Sequence, residues 1–269
     1  MRLDIYMTEK GLTQSREKAR ALIMAGKVTV NGKLADKPGT DMKEGATISI
    51  AEDPVPFVSR GGLKLQKAID TFQLHLQALT AADIGASTGG FTDCMLQHGV
   101  QKVYAIDVGY GQLDWRLRND PRVVVMERKN ARNMQPDWFE EPLGFASIDV
   151  SFISLRLMLP PLNACLQEGA YVAALIKPQF EAGRAEVGKH GVVRDAGVHL
   201  SVCTSILEYA CNCGYDVRDL SYSPITGPKG NIEFLAMLQK SATPRGNILL
   251  STPDFIKDVV AQAHQSLKR

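Results

Sequence analysis

Residues 83–91, Asp-Ile-Gly-Ala-Ser-Thr-Gly-Gly-Phe, have the composition of a turn that holds a ligand against the backbone. Small and apolar residues precede this segment and an amphipathic helical pattern follows it, which predicts a strand, a tight turn and the start of a helix. Such a turn needs glycine because its backbone adopts positive φ and passes close to the ligand. The first N–H groups of the helix would then face the ligand in the crevice.

Two carboxylates indicate which ligand this turn holds. A dinucleotide site would read Gly-x-Gly-x-x-Gly, whereas Ser87 stands at the second glycine position. Asp83 instead fits the Asp/Glu-x-Gly-x-Gly-x-Gly pattern of enzymes that bind S-adenosylmethionine (SAM), and Asp107 follows the turn by about 20 residues, where a carboxylate contacts ribose hydroxyls. A purely structural turn is the alternative, and the two carboxylates argue against it. The predicted cofactor contacts are Asp83, Gly85, Ser87, Thr88, Gly89, Gly90, Phe91, Asp107 and Asp149.

Charged residues at the ends of predicted apolar strands form a second group that could do chemistry. Lys177 ends a long apolar run, and burial of its ammonium group is costly unless a carboxylate pairs with it. Asp149, one predicted strand away, is the natural partner, and Glu233 is a carboxylate in another apolar segment. Each could instead belong to a structural ion pair, and Glu233 could be a surface charge on an edge strand. We interpret them as functional because they flank the predicted SAM site.

The elements that must position these residues alternate between strand and helix patterns. Strands are predicted over residues 102–108, 122–126, 145–150, 170–177, 216–223 and 231–239, and helices over 155–166, 195–213 and 254–268. Apolar strands between helices indicate a parallel, doubly wound sheet. The last two strands have no helix between them and predict an antiparallel edge pair. This α/β pattern is typical of the Rossmann-like fold of SAM-dependent methyltransferases.

The chain of 269 residues is long enough for one large and one small domain. We predict a small α+β domain over residues 1–50, a linker over 51–60 and the sheet-forming domain over 61–269. Two prolines in the linker stiffen it and keep it out of a helix.

The small domain carries a basic cluster. Ser15 is expected to cap a helix that runs to about Ala25, Asn31-Gly32 predicts a hairpin turn, and residues 46–50 predict a strand. A solvated helix face is the simplest interpretation of basic residues on one helix. The cluster comprises Arg2, Arg16, Lys18, Arg20, Lys27 and Lys33, and Arg60 follows in the linker.

Composition excludes several classes of protein. Hydrophobic residues make up 45% of the chain, but no apolar run approaches the roughly 20 residues of a membrane span, and the N-terminus lacks the apolar segment of a signal peptide. The five cysteines show no zinc spacing, so we expect reduced thiols in a cytoplasmic protein and no metal site. A net charge of +2 is too small to indicate a nucleic-acid partner by itself.

Several motifs resemble those of the TlyA (haemolysin-A) family. They are SRGGLKL at 59–65, DIGASTGGFTD at 83–93, DVSFISL at 149–155, IKPQFE at 176–181 and GVVRD at 191–195. The order of residues in 1–50 is also similar to the alpha-L RNA-binding domain, which recognises structured RNA. This similarity implies that the basic cluster binds RNA, and the candidate RNA-binding residues are Arg2, Arg16, Lys18, Arg20, Lys27, Lys33 and Arg60. The resemblance therefore spans essentially the whole chain.

This resemblance implies an alpha-L domain joined to an FtsJ-like methyltransferase. Members of the family are regarded as ribosomal RNA 2′-O-methyltransferases that act on cytidines, so ribosomal RNA or ribosomal subunits are the implied partners, with neither a membrane nor an obligate protein partner. The FtsJ-like Lys–Asp–Lys–Glu pattern falls on Lys64, Asp149, Lys177 and Glu233. We hypothesise that Lys177 is the general base, that Asp149 orients it, and that Lys64 and Glu233 position the ribose.

Three alternatives stay open. Methylation of a base is disfavoured because the chain lacks Asn/Asp-Pro-Pro-Tyr/Phe and has no Pro-Cys at the fourth strand. A membrane-active haemolysin would need an apolar span or a strongly amphipathic surface helix, and a non-catalytic ribosome-assembly protein would not need Lys177 and Asp149.

The polar loop at 181–195 is expected to close over substrate or cofactor.

Overall fold

The computed structural model describes residues 1–13, 15–24, 27–35, 37–42, 45–50, 55–242 and 254–267. The chain divides into two compact units, Met1–Pro54 and Val55–Arg269. The expected helix end at Ala25, part of the predicted linker (51–54) and residue 268 lie outside the described residues.

The first unit packs two helices on a three-stranded antiparallel sheet. Its elements are α1 (Leu3–Glu9), α2 (Arg16–Met24), β1 (Val28–Val30), β2 (Lys33–Leu34) and β3 (Ile48–Ile50), with the strand order β2-β1-β3. The Ser15 hydroxyl accepts a hydrogen bond from the Lys18 N–H at 3.2 Å, which confirms the predicted cap. Asn31 and Gly32 both have positive φ, as a two-residue hairpin turn requires.

The sequence interpretation did not identify α1. Leu3 and Met7 stand four residues apart, so both side chains lie on one face of the helix and are fully buried. They pack with Ala19 and Ile23 of α2 and with Val28 of β1. This small core fixes α1 and α2 against the sheet.

The second unit is built on a seven-stranded sheet. Its strands are β4 (Thr80–Ile84), β5 (Lys102–Ile106), β6 (Val123–Met126), β7 (Leu143–Ile148), β8 (Leu166–Ile176), β9 (Tyr215–Tyr222) and β10 (Phe234–Lys240). Strands β4 to β8 are parallel in the order β6-β5-β4-β7-β8, and β10 is antiparallel to both β8 and β9. The predicted Rossmann-like α/β fold is confirmed.

Helices cover both faces of this sheet. They are α3 (Gly62–Phe72), α4 (Gly90–Gln97), α5 (Trp115–Arg118), α6 (Leu159–Cys165), α7 (Pro178–Glu181), α8 (Ala196–Asn212) and α9 (Phe255–Ser266). One apolar core contains residues of α6, α8 and α9, and the other contains residues of α3 and α4. Apolar side chains therefore fill the space on both faces, and polar side chains collect where the parallel strands end.

The predicted antiparallel edge pair is confirmed, with β10 between β8 and β9 and β9 at the edge of the sheet. One detail differs from the sequence interpretation. The helix expected over 155–166 is a 3-10 turn at Leu155–Leu157 followed by α6. Two prolines in the first turn of α6 explain its late start, because proline is tolerated there but not in a helix interior.

Within the described residues, no helix is long and apolar enough to cross a membrane. All five cysteines are free.

Candidate active site

The turn between β4 and α4 adopts the strained backbone that its sequence predicts. Gly85, Ser87 and Gly89 have φ values of 88°, 49° and 95°. A Cβ atom on Gly85 would lie 2.7 Å from the carbonyl oxygen of Asp149, so the turn is pressed against the end of β7. Glycine is therefore required at position 85 for both its φ and its size.

The two carboxylates of the SAM pattern lie in different surroundings. Asp107 follows β5, and its side chain accepts hydrogen bonds from the N–H groups of Ser87 at 2.8 Å and Gly109 at 2.7 Å. Asp83 is fully buried at the end of β4 and accepts hydrogen bonds from the hydroxyls of Thr92 at 2.7 Å and Ser147 at 3.2 Å. Asp83 thus connects the strand before the turn to α4 and to β7 through these two hydrogen bonds.

Burial of Asp83 gives the protein a pH-dependent stability. Burial raises the pKa of this carboxyl to about 7 from an ordinary value of 3.8. Between these values the folded state holds a proton that the unfolded chain has released, so the stability contribution is fully present below about 3.8 and is lost progressively as pH rises to about 7. We expect Asp83→Asn, which stays neutral, to be more stable than the native chain at pH 8 by up to about 4 kcal/mol.

Urea unfolding of both proteins at pH 4 and pH 8 measures this difference. The amide keeps an acceptor for Thr92 and a donor for Ser147, so the stabilities should differ little at pH 4, where the unfolded chain has barely begun to release the Asp83 proton. Parallel stability curves across this pH range would show that Asp83 does not titrate there.

Four charged side chains form a continuous chain of ion pairs at the carboxyl edge of the sheet. Lys177 Nζ lies 2.5 Å from Asp149 Oδ1, Lys64 Nζ lies 3.5 Å from Asp149 Oδ2, and Lys64 Nζ lies 2.7 Å from Glu233 Oε2. Asp149 and Lys177 follow the neighbouring strands β7 and β8, Lys64 lies in α3, and Glu233 immediately precedes β10. We call these residues the charged tetrad.

Charge balance makes this buried arrangement tolerable. Lys64, Lys177 and Glu233 are at least nine-tenths buried, and isolated charges there would lose most of their hydration. Two ammonium groups alternate with two carboxylates, so the tetrad is neutral when all four are ionised. Removal of one member leaves a buried charge without compensation.

Neighbouring polar and aromatic side chains were not predicted as site residues. Lys177 Nζ donates to the Ser151 hydroxyl at 3.0 Å, and the Gln179 amide donates to Glu233 at 3.4 Å. The Phe152 side chain is 89% exposed, has φ of 64°, and lies 5.1 Å from the Phe180 ring. Their motifs, DVSF and KPQF, directly follow Asp149 and Lys177 and could have indicated these residues.

One cavity of about 530 Å³ connects the glycine turn and the tetrad. Its volume is in the range of cofactor sites. The predicted residues that line it are Arg60, Lys64, Gly85, Ser87, Thr88, Gly90, Phe91, Asp149, Lys177 and Glu233. Asp83, Gly89 and Asp107 are not among its lining residues. Asp107 nevertheless accepts a hydrogen bond from the N–H of Ser87, and Ser87 does line the cavity.

The predicted RNA-binding residues of the first unit have different surroundings. Arg2 and Arg16 bind the buried carboxylate of Asp4, with N–O distances of 3.0 and 2.8 Å. Hydrogen bonding from Arg2 is the main reason why the pKa of Asp4 is well below its ordinary value. Lys27 is half-buried. The remaining predicted residues of this unit are exposed, namely Lys18, Arg20 and Lys33.

Comparison with known proteins identifies both units. A family model described as FtsJ-like methyltransferase matches residues 57–240, and an S4 domain model matches residues 1–48. A Bacillus subtilis protein provisionally named as the rRNA methyltransferase YqxC is 48% identical over 268 residues, which cover 99% of this chain and 95% of the relative.

Two further relatives support the same assignment. The 16S/23S rRNA (cytidine-2′-O)-methyltransferase TlyA of Mycobacterium tuberculosis is 41% identical over 88% of this chain and 89% of its own length. A solved structure of a Streptococcus thermophilus protein, provisionally named a hemolysin, is 47% identical, covers 99% of this chain and 96% of its own, and gives a TM-score of 0.80. The resemblance to the TlyA family is therefore confirmed, and the chain belongs to the FtsJ-like methyltransferases.

Proposed function

We propose that the protein is a SAM-dependent ribosomal RNA methyltransferase that modifies the ribose 2′-hydroxyl of a cytidine. The observation that carries this proposal is the charged tetrad, which lines the same cavity as the glycine turn. The TlyA relative from Mycobacterium tuberculosis, which is named for this reaction, supports the choice of cytidine. A ribosomal substrate also implies action in the cytoplasm.

The residues of the turn fit SAM. Gly85 lets the turn pack against the end of β7, and Ser87, Thr88, Gly90 and Phe91 line the adjoining cavity. These residues, with Asp107 at the end of β5, would hold SAM, which supplies the methyl group when bound.

The tetrad provides the proton chemistry. A ribose hydroxyl is a weak nucleophile and must lose its proton as it attacks, so a base must lie within hydrogen-bonding distance. We assign the unprotonated amine of Lys177 as that base, because it lies at the end of β8 in the cavity wall. Asp149, 2.5 Å away, orients this amine and compensates the charge that Lys177 gains with the proton. Lys64 and Glu233, paired at 2.7 Å, position the ribose.

The first unit is the proposed binding surface for structured RNA. Lys18 and Arg20 project from α2, and Lys33 projects from β2 in the adjacent hairpin. The buried Asp4 fixes Arg2 and Arg16, and their outer N–H groups can donate to phosphate oxygens. Such contacts recognise the backbone and shape of an RNA more than its sequence.

We expect the double variant Lys18→Ala/Arg20→Ala to bind ribosomal subunits about tenfold more weakly, and the slope of log K against log salt to fall by about 1 to 2. The loss of two phosphate contacts is the physical cause. Filter binding across a salt series measures both quantities. The control, Arg218→Ala/Lys257→Ala, removes the same charge from exposed positions in the second unit. Equal losses in both variants would reveal only a general charge effect.

Methyl transfer to ribosomal subunits tests the proposed function. Subunits from a strain without the gene are incubated with the protein and radiolabelled SAM, and the RNA is digested to nucleosides for mass spectrometry. The expected product is 2′-O-methylcytidine. A methylated base, or no transfer by protein that binds both SAM and subunits, would contradict the proposal.

A further inference from the structure

A second cavity adjoins the active-site cavity. Its volume is about 680 Å³, and Arg60 and Lys229 line both cavities. Arg194 also lines it, and none of the described residues that line it carries a carboxylate. Three cationic side chains therefore line a space that adjoins the active-site cavity, and this arrangement favours an anionic occupant.

These cations differ from those of the tetrad. Lys64 and Lys177 each lie within 4.0 Å of a carboxylate oxygen, whereas in the described part of the chain Arg60, Arg194 and Lys229 form no ion pair. All three are exposed. Their charge is therefore available for an external anion such as a phosphate group.

A buried asparagine fixes the loops that carry two of these cations. Asn231 is 3% exposed, and its side chain binds the Gly191 carbonyl at 2.9 Å and the Val193 N–H at 3.0 Å. Its own carbonyl accepts a hydrogen bond from the Gly227 N–H at 2.9 Å, within the turn that leads to Lys229. Because Glu233 follows Asn231 by two residues, one short segment links this cavity to the tetrad.

The wall of the cavity also has an apolar part. Val192, Ile225 and Ile232 line it, so it offers an apolar surface as well as cations. A nucleotide has this pair of properties, with a flat base and a charged phosphate. A free inorganic anion would make no use of the apolar wall.

We propose that the second cavity binds the nucleotide next to the methylated one in the substrate RNA. Arg194 and Lys229 hold its phosphate, and its base lies against the apolar wall. This inference rests on the proposed function, and it adds Arg194 and Lys229 as residues that set the position of the RNA strand in the active site.

Steady-state methylation of ribosomal subunits by Arg194→Ala tests the proposal. We expect KM for the subunits to rise about tenfold, with a much smaller effect on kcat, and the salt slope of binding to fall by about 1. SAM affinity, measured by calorimetry, should be retained because Arg194 does not line the SAM cavity. Lys229→Ala is the second variant, and Arg218→Ala on β9 is the matched control because its side chain binds Gln239.

The possible outcomes are distinct. Arg194→Ala with native KM and salt slope, or an equal defect in Arg218→Ala, would overturn the proposal. A lower melting temperature in Arg194→Ala would transfer the test to Lys229→Ala, which must then show the same loss of binding. Absence of transfer by the native protein would refute the proposed function, whereas native transfer with unaffected Arg194→Ala and Lys229→Ala variants contradicts this inference alone.

Discussion

Replacing Lys177 with alanine is expected to lower kcat for methyl transfer at least about 100-fold, the usual contribution of a positioned general base. The amine lies in the cavity wall, where it can take the proton of the ribose hydroxyl, and alanine leaves no base at the end of β8. Single-turnover transfer of a labelled methyl group measures the effect. SAM binding by calorimetry confirms that the cofactor site persists.

Lys177→Arg separates the role of a base from that of a charge. Arginine keeps the cation beside Asp149 but stays protonated in proteins, so it cannot accept the proton. We expect this variant to be as inactive as Lys177→Ala. Substantial activity in Lys177→Arg would show that position 177 acts through its charge. Lys102→Ala is the control. Lys102 is the first residue of β5, so it lies at the amino end of the parallel strands, away from the active site, and it pairs with Glu140 at 2.6 Å.

Gly85→Ala is expected to weaken SAM binding at least about tenfold, since a displaced contact of roughly 1.4 kcal/mol already has that effect. The new Cβ would lie 2.7 Å from the Asp149 carbonyl oxygen in a backbone with φ of 88°. Either the turn or the end of β7 must therefore move, and that movement also displaces Asp149 from the tetrad. Methyl transfer should fall with SAM affinity.

Gly169→Ala provides the comparison for this variant. Gly169 has φ of 79°, but its nearest neighbour to a new Cβ is 3.9 Å away, and it lies near the start of β8. Alanine at position 169 would have the same kind of backbone strain as alanine at position 85, but it would make no close contact and would lie far from the cavity. If both variants lost SAM affinity equally, general destabilisation would explain the defect, and the close approach of the turn to β7 would have no special role.

Local patterns in the sequence predict the parts of the site that come from single strand ends. The apolar run before Lys177 and the position of Asp149 place the two residues on neighbouring strands, and their side chains pair at 2.5 Å. The glycine turn is likewise a local pattern, because positive φ at positions 85 and 89 needs particular residues.

Contacts between distant segments could not be predicted in the same way. The pairing of Lys64 with Glu233 depends on the insertion of β10 between β8 and β9, which no periodicity indicates. The binding of Arg2 and Arg16 to Asp4 depends on the packing of α1 against α2. In both cases the sequence supplies the charges, and the tertiary fold decides which of them meet.

The span of the Lys64–Glu233 contact has a consequence for the timing of activity. These residues are 169 positions apart, so most of the chain must leave the ribosome before the pair can form. Contacts of such long range also form slowly, because the intervening chain must be ordered first. A nascent chain that ends before β10 would thus fold part of the sheet without an active site, and enzymatic competence would arise only as synthesis finishes.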